Sequence, residues 1–233
     1  SICGEKRCRV VSSRTQGLPD DVAAYVRELI LSGEVRPGEF LRLEPIAEAV
    51  GVSNTPVREG LLALRAEGFV QLVPRRGFMV EEFTPQDVHD IFWAQAKLAG
   101  ELAARAAKRI TPEGIAQLER ILADLEAAYE RGVDDEIVEL GVAFHRQINL
   151  YAESRRLAMI LNSVVKHVPN RFYASIEGHV EATRADHPQL LKALRTGNAR
   201  EARKIAESHL LDSTDHLIEM LRRRGLWSDE QPA

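Results

Sequence analysis

The feature that most limits the fold is a change of periodicity near residue 83. From Thr84 onward, apolar residues recur at intervals of three and four, and strand-like alternation is absent. Strand character is concentrated just before that point, in "FVQLV" and "FMVEEF", on either side of the turn "PRRG". The chain is therefore expected to be mainly α. A small helix-and-hairpin domain comes first and an all-α antiparallel helical bundle follows.

The first part reads as three short helices. In "LPDDVAAYVRELILSG", Asp20 or Asp21 is the expected cap, Val22, Val26, Leu29 and Ile30 share one face, and Gly33 ends the helix. "VRPGEF" is a turn, and "LEPIAEAVG" is a second helix that stops at Gly51. "TPVREGLLALRAEG" is a third, with Thr55 as the expected N-cap, Pro56 in the first helical position and Gly68 at the end. Three helices followed by a hairpin make a winged helix-turn-helix. The expected organisation is a flexible segment over 1–17, this domain over 18–82, a helical domain over 84–225 and a tail over 226–233.

The bundle helices are punctuated by two Thr-Pro starts, "TPQDVHDIF" and "TPEGIAQLE". "DDEIVELGVAFHRQINLYAES" and "SRRLAMILNSVVKHVPNRFYASIEG" follow. Next, "HPQLLKALRTG" reads as a helix that begins near His187, and "NAREARKIAESHLLDSTDHLIEMLRRRG" reads as one long final helix.

Composition narrows the class. The chain has 233 residues, 45% of them hydrophobic and 28% charged, which suits a soluble globular protein with real cores. It has no run of 18 apolar residues, so no membrane span is expected. The N-terminal segment lacks an apolar stretch of secretory-signal length. Cys3 and Cys8 cannot make a zinc site on their own. A cytoplasmic location is expected.

The net charge of −4 does not advertise nucleic-acid binding, but its distribution does. From Ser53 to Val80, Arg58, Arg65, Arg75 and Arg76 face only Glu59 and Glu67. Ser53, Asn54 and Thr55 are short polar groups at the start of the third helix. Such a helix end can approach phosphates through free N–H groups, and Arg58 can reach a guanine edge with two hydrogen bonds. Arg75, Arg76 and Gly77 form a narrow basic turn suited to phosphates or a minor groove. Arg42, ahead of the second helix, completes the DNA-binding candidates. Read as local chemistry alone, the hydroxyls cap the helix and the arginines are solvated.

The stretch "LILSGEVRPGEFL…IAEAVGVSNTPVREGLLALRAEGFVQLVPRRGFMV" resembles the DNA-binding domain of GntR-family bacterial transcription regulators. The resemblance implies a homodimer on a pseudo-palindromic, double-stranded operator. It implicates Thr55 and Arg58 in the recognition helix, and Arg76 and Gly77 in the wing. Asn54 stands where the family usually has Arg, and Gly60 where it usually has Ala. Glycine inside a helix costs about 1 kcal/mol relative to Ala, so Gly60 is expected to mark a close approach to a neighbour.

Thr84–Leu221 resembles the FCD effector domain of the FadR-type subgroup, through "FHR", "DHPQLLKALRTGN" and "HL". Metal-binding members ligate through three His and an Asp one turn before the first. By position the ligands here are His145, His187 and His209, for a divalent ion such as Zn or Ni. The Asp position is Gly141, which offers no side chain. Asn149, water or the carboxylate of an effector can fill the gap. Gln95 and Ala99 stand where an Arg and a Glu are common on the first bundle helix. Gln95, Asn149 and His216 are the expected ligand-binding residues, while His89, His167 and His179 read as ordinary helix histidines.

The function implied is a regulator whose operator affinity responds to a small carboxylate effector, with a divalent metal. Two alternatives are a metal-dependent hydrolase, since three His with an open position is also catalytic zinc chemistry, and a DNA-binding protein that takes no ligand. The hydrolase lacks an obvious general base near the histidines, with Glu139 the nearest in sequence.

Overall fold

The computed structural model describes residues 17–168 and 181–227. Cys3, Cys8, the basic residues of the N-terminal segment, His179 and most of the tail lie outside the described residues. The chain divides into two compact units, Ser1–Glu82 and Phe83–Ala233.

In the first unit, α1 (Leu18–Leu31), β1 (Phe40–Leu41), α2 (Leu43–Val50), α3 (Asn54–Ala66), β2 (Val70–Val73) and β3 (Gly77–Val80) follow in order. The sheet order is β1-β3-β2, with both pairings antiparallel. The sequence signals showed only the two longer strands. β1 has two residues, too short for alternation to register, and it pairs Phe40 with Met79 and Leu41 with Phe78. Val22, Val26 and Ile30 of α1, Val57, Leu61 and Leu64 of α3, and Phe78 and Val80 of β3 form the core.

Two helix starts differ from expectation. Gly17, not an aspartate, is the N-cap of α1, and Asp20 and Asp21 sit in its first turn, where the helix dipole favours acids. Ser53, not Thr55, is the N-cap of α3, so Pro56 falls inside the first turn rather than at its head. Ser53 makes no side-chain capping hydrogen bond.

Gly60 does mark a close approach. A Cβ there would lie 2.7 Å from the Pro19 carbonyl oxygen and 2.8 Å from Val22 Cγ1, so α3 touches α1 almost backbone to backbone. Arg27 of α1 is buried against Glu67, and its guanidinium lies 5.6 Å from the Phe69 ring centre.

Every regular element among the described residues of the second unit is a helix: α4 (Pro85–Ala107), α5 (Pro112–Arg131), α6 (Asp134–Tyr151), α7 (Arg155–Val165), α8 (Glu181–Arg195), α9 (Ala199–Asp212) and α10 (Thr214–Arg223). Thr84 and Thr111 cap α4 and α5 as expected, and Thr84 forms a reciprocal capping box with Asp87. The core joins Leu102 and Ala106 of α4, Phe144 and Ile148 of α6, Leu161 of α7, Leu190 and Leu194 of α8, and Ala202 and Ala206 of α9. Gly100 lets α9 lie close to α4, since a Cβ there would meet Glu207 Cγ at 2.6 Å.

Two boundaries in this unit also differ. α8 already runs from Glu181, so His187 and Pro188 are interior rather than at its start. The final helix breaks at Ser213, which separates α9 from α10. His209 therefore sits in the last turn of α9, and His216 belongs to another helix.

Candidate nucleic-acid interface and three-histidine centre

In the first unit, α2, the turn at Gly51–Ser53 and α3 form the helix-turn-helix. Gly51 takes φ +78°, a left-handed conformation that suits glycine at a helix C-terminus. Ser53, Asn54, Thr55 and Arg58 are all exposed, whereas Val57, Gly60, Leu61 and Leu64 turn inward. The polar residues at the start of α3 thus face solvent as one group. Arg42, the N-cap residue of α2, is exposed too.

The hairpin turn places Arg75 at φ +63° and Gly77 at φ +102°, and Arg76 N donates to the Val73 carbonyl at 3.1 Å. The two arginine side chains are exposed. The Arg76 guanidinium stacks 4.3 Å from the centre of the Phe40 ring. This stacking holds the wing cation against β1. Sequence reasoning missed it because Phe40 and Arg76 are brought together only by the β1-β3 pairing.

In the second unit, three elements converge. α6 carries His145, α8 carries His187 and α9 carries His209. Their ring centres lie 5.2 Å (His145–His187), 5.2 Å (His145–His209) and 5.0 Å (His187–His209) apart. One donor atom from each lies within 4.8 Å of the others. The Phe144 ring backs the cluster, 4.9 Å from His187 and edge-on to His145 at 5.6 Å. His187 and His209 are buried.

Burial, and then the neighbouring His209, push His145 down to about 3. Burial, and then His145 and His209, hold His187 well below the usual histidine range. Both rings are therefore uncharged at neutral pH, each with a lone pair available.

The donor spacing suits one ion. His145 Nε2 and His187 Nε2 are 3.3 Å apart. Two nitrogens bound to one zinc at about 2.0–2.1 Å with a tetrahedral angle lie about 3.3 Å from each other. Gly141, one turn before His145, is buried and supplies no ligand.

The other candidates divide. Gln95 on α4 is buried, and Asn149 on α6 is half-buried. His216 is exposed on α10, so the break at Ser213 removes it from the histidine cluster. His89 is exposed and lies 3.7 Å from Asp215, and His167 is half-buried.

A residue missed at the sequence level is Asp186, whose Oδ2 lies 3.3 Å from His209 Nδ1. Its signal was its place directly before His187 at the head of "DHPQLLKALRTGN". Ser213, also missed, donates its hydroxyl to the His209 carbonyl at 2.8 Å and closes the last turn of α9.

Comparison with known proteins matches residues 18–80 to "Bacterial regulatory proteins, gntR family" and residues 90–212 to the "FCD domain". The chain is a GntR-family regulator with an FCD domain. Its relatives include an HTH-type transcriptional regulator, YdhC, of Bacillus subtilis. That protein is 24% identical over 199 residues, covering 84% of this chain and 89% of the relative. The HTH-type transcriptional repressor RspR of Escherichia coli is 24% identical over 220 residues, covering 93% and 96%. Among solved structures, Escherichia coli McbR/YncC aligns with a TM-score of 0.64 at 25% identity, covering 90% of this chain and 99% of that one.

As a GntR regulator the protein is a DNA-binding transcription factor, not an enzyme. The exposed start of α3 and the basic wing lie within the matched GntR region. The three histidines lie within the matched FCD region. Among the described residues, no helix is long and apolar enough to cross a membrane.

Proposed function

We propose that this GntR/FCD protein is a cytoplasmic, homodimeric regulator whose operator affinity is set by a small carboxylate bound at a divalent metal in the FCD unit. The observation that carries this reading is the convergence of His145, His187 and His209. Two of the three are uncharged at neutral pH, so metal binding displaces no proton from them. Zinc or nickel bound there would supply an electrophilic centre with positions left open for carboxylate oxygens. Gly141 leaves the protein one side-chain donor short of the four-ligand set, which favours an anionic ligand from outside. Asn149, one turn from His145 on α6, and the buried Gln95 of α4 are the groups assigned to that ligand.

On the DNA side, Ser53, Asn54, Thr55 and Arg58 are assigned to the major groove. Arg42 is assigned to a phosphate, and Arg75, Arg76 and Gly77 to the wing contact. Ser53 is not occupied by a capping hydrogen bond, which supports an external partner. Asn54 can pair with adenine through two hydrogen bonds.

The test is a coupled titration. Operator affinity is measured with and without small carboxylates in the presence of Zn²⁺, and carboxylate affinity with and without operator. The two coupling factors must be equal. Operator affinity that no carboxylate changes would favour the ligand-independent alternative.

A further inference from the structure

The histidine cluster has a carboxylate beside it that does not belong to it. Asp186 Oδ2 lies 3.3 Å from His209 Nδ1. Among the described residues, the group whose donors all lie within 4.8 Å of one another is the three histidines, without Asp186. Asp186 is the one carboxylate of the described residues within ion-pairing reach of any of them. It directly precedes His187, so one step of α8 serves two corners of the site. His187 is buried in the cluster, while the Asp186 side chain keeps 24% of its surface.

In its uncharged form, the form that can bind a metal, an imidazole has one N–H and one lone pair, and its partner decides which nitrogen carries the proton. A carboxylate only accepts, so it selects a proton on Nδ1. The lone pair then falls on Nε2. The backbone of His209 is fixed as well, because its carbonyl accepts from the buried Ser213 hydroxyl at 2.8 Å. The ring and the backbone of His209 thus have separate partners, Asp186 and Ser213.

We infer that Asp186 is a positioning residue: it holds His209 in the Nδ1–H form and turns Nε2 toward His145 and His187. The cluster lacks a carboxylate at Gly141, so Asp186 also supplies the nearby negative charge that offsets a dication. The consequence for metal rests on the reading under Proposed function, but the tautomer does not. Outer partners of this kind change metal affinity by about 10–100-fold when removed.

The experiment has two arms on the full-length chain. The first records long-range ¹H–¹⁵N correlations of histidine-labelled, metal-free protein, with His209 assigned through His209→Ala. The wild type is expected to show His209 protonated on Nδ1, and Asp186→Ala to shift it toward Nε2–H or a mixture. The second measures Zn²⁺ affinity by competition with a chromophoric chelator. Asp186→Ala is expected to weaken binding about 10–100-fold. Asp186→Asn, whose amide oxygen still accepts, should recover part of the loss, and it replaces the alanine variant if that one melts early. A wild-type His209 protonated on Nε2 overturns the assignment, as does unchanged zinc affinity in Asp186→Ala. A wild type that shows the Nδ1–H form but takes up no zinc supports the orientation and overturns the metal reading alone.

Discussion

Gly60→Ala exposes how tightly the DNA-reading unit is packed. The added Cβ falls 2.7 Å from the Pro19 carbonyl oxygen, and 2.8 and 2.9 Å from Cγ1 and Cβ of Val22. Comfortable non-bonded carbon contacts are about 3.5–4.0 Å. Pro19 O is backbone in the first turn of α1, and Val22 is completely buried, so neither group can swing aside. Alanine gains about 1 kcal/mol of helix propensity over glycine. Overpacking a filled core costs about 1–3 kcal/mol, and a backbone obstacle puts this site in the upper part of that range. The expected net loss is about 1–2 kcal/mol, which lowers the melting midpoint of a unit this size by about 4–16 °C. Differential scanning calorimetry of the full-length protein reads the shift. Ala63→Gly, at an exposed position of the same helix, isolates the propensity term. A Gly60→Ala protein that melts at or above the wild-type temperature would refute the packing argument.

Other perturbations address the two sites. Arg58→Ala should cost about 1–3 kcal/mol of operator affinity and relax specificity at one base pair, with an unchanged melting curve. Fluorescence anisotropy on operator and scrambled duplexes measures it. Arg76→Ala should weaken both duplexes alike and reduce the slope of log K against log salt by about 1. The metal-free protein should lose stability in acid. His145 is about 3 when folded and near 6.5 when unfolded, so between those values the unfolded chain binds the extra proton. Stability is full above about pH 6.5 and falls toward pH 3, by about 1.4 kcal/mol per pH unit for each such histidine. Urea midpoints across pH 4–7 should show this slope, and His145→Ala should reduce it, leaving the contribution of His187.

The winged helix-turn-helix and the all-helical second unit were legible from periodicity, and the two Thr-Pro caps from local chemistry. What failed was also local. A two-residue strand cannot show alternation, and β1 exists because β3 offers it an edge. Pro188 imitates a helix start because proline suits a first turn, yet α8 carries it in the interior. The Ser213 break is invisible to a pattern that stays polar-apolar across it, and that error placed His216 on the same helix as His209. The three histidines were named only through a family resemblance, since their spacing in sequence carries no metal signature. Asp186 was passed over for a physical reason: its partner is 23 positions away, and only the packing of α8 on α9 joins them.

The central claim is that the three imidazoles form a metal centre in a DNA-binding regulator. Elemental mass spectrometry of the purified protein tests it most directly, with His145→Ala, His187→Ala and His209→Ala alongside. The account predicts about one zinc or nickel per chain, lost in each variant while the helical content stays. A wild-type protein that holds no metal, even after Zn²⁺ or Ni²⁺ is added to it, would contradict the claim. The cluster would then be a set of packed core histidines.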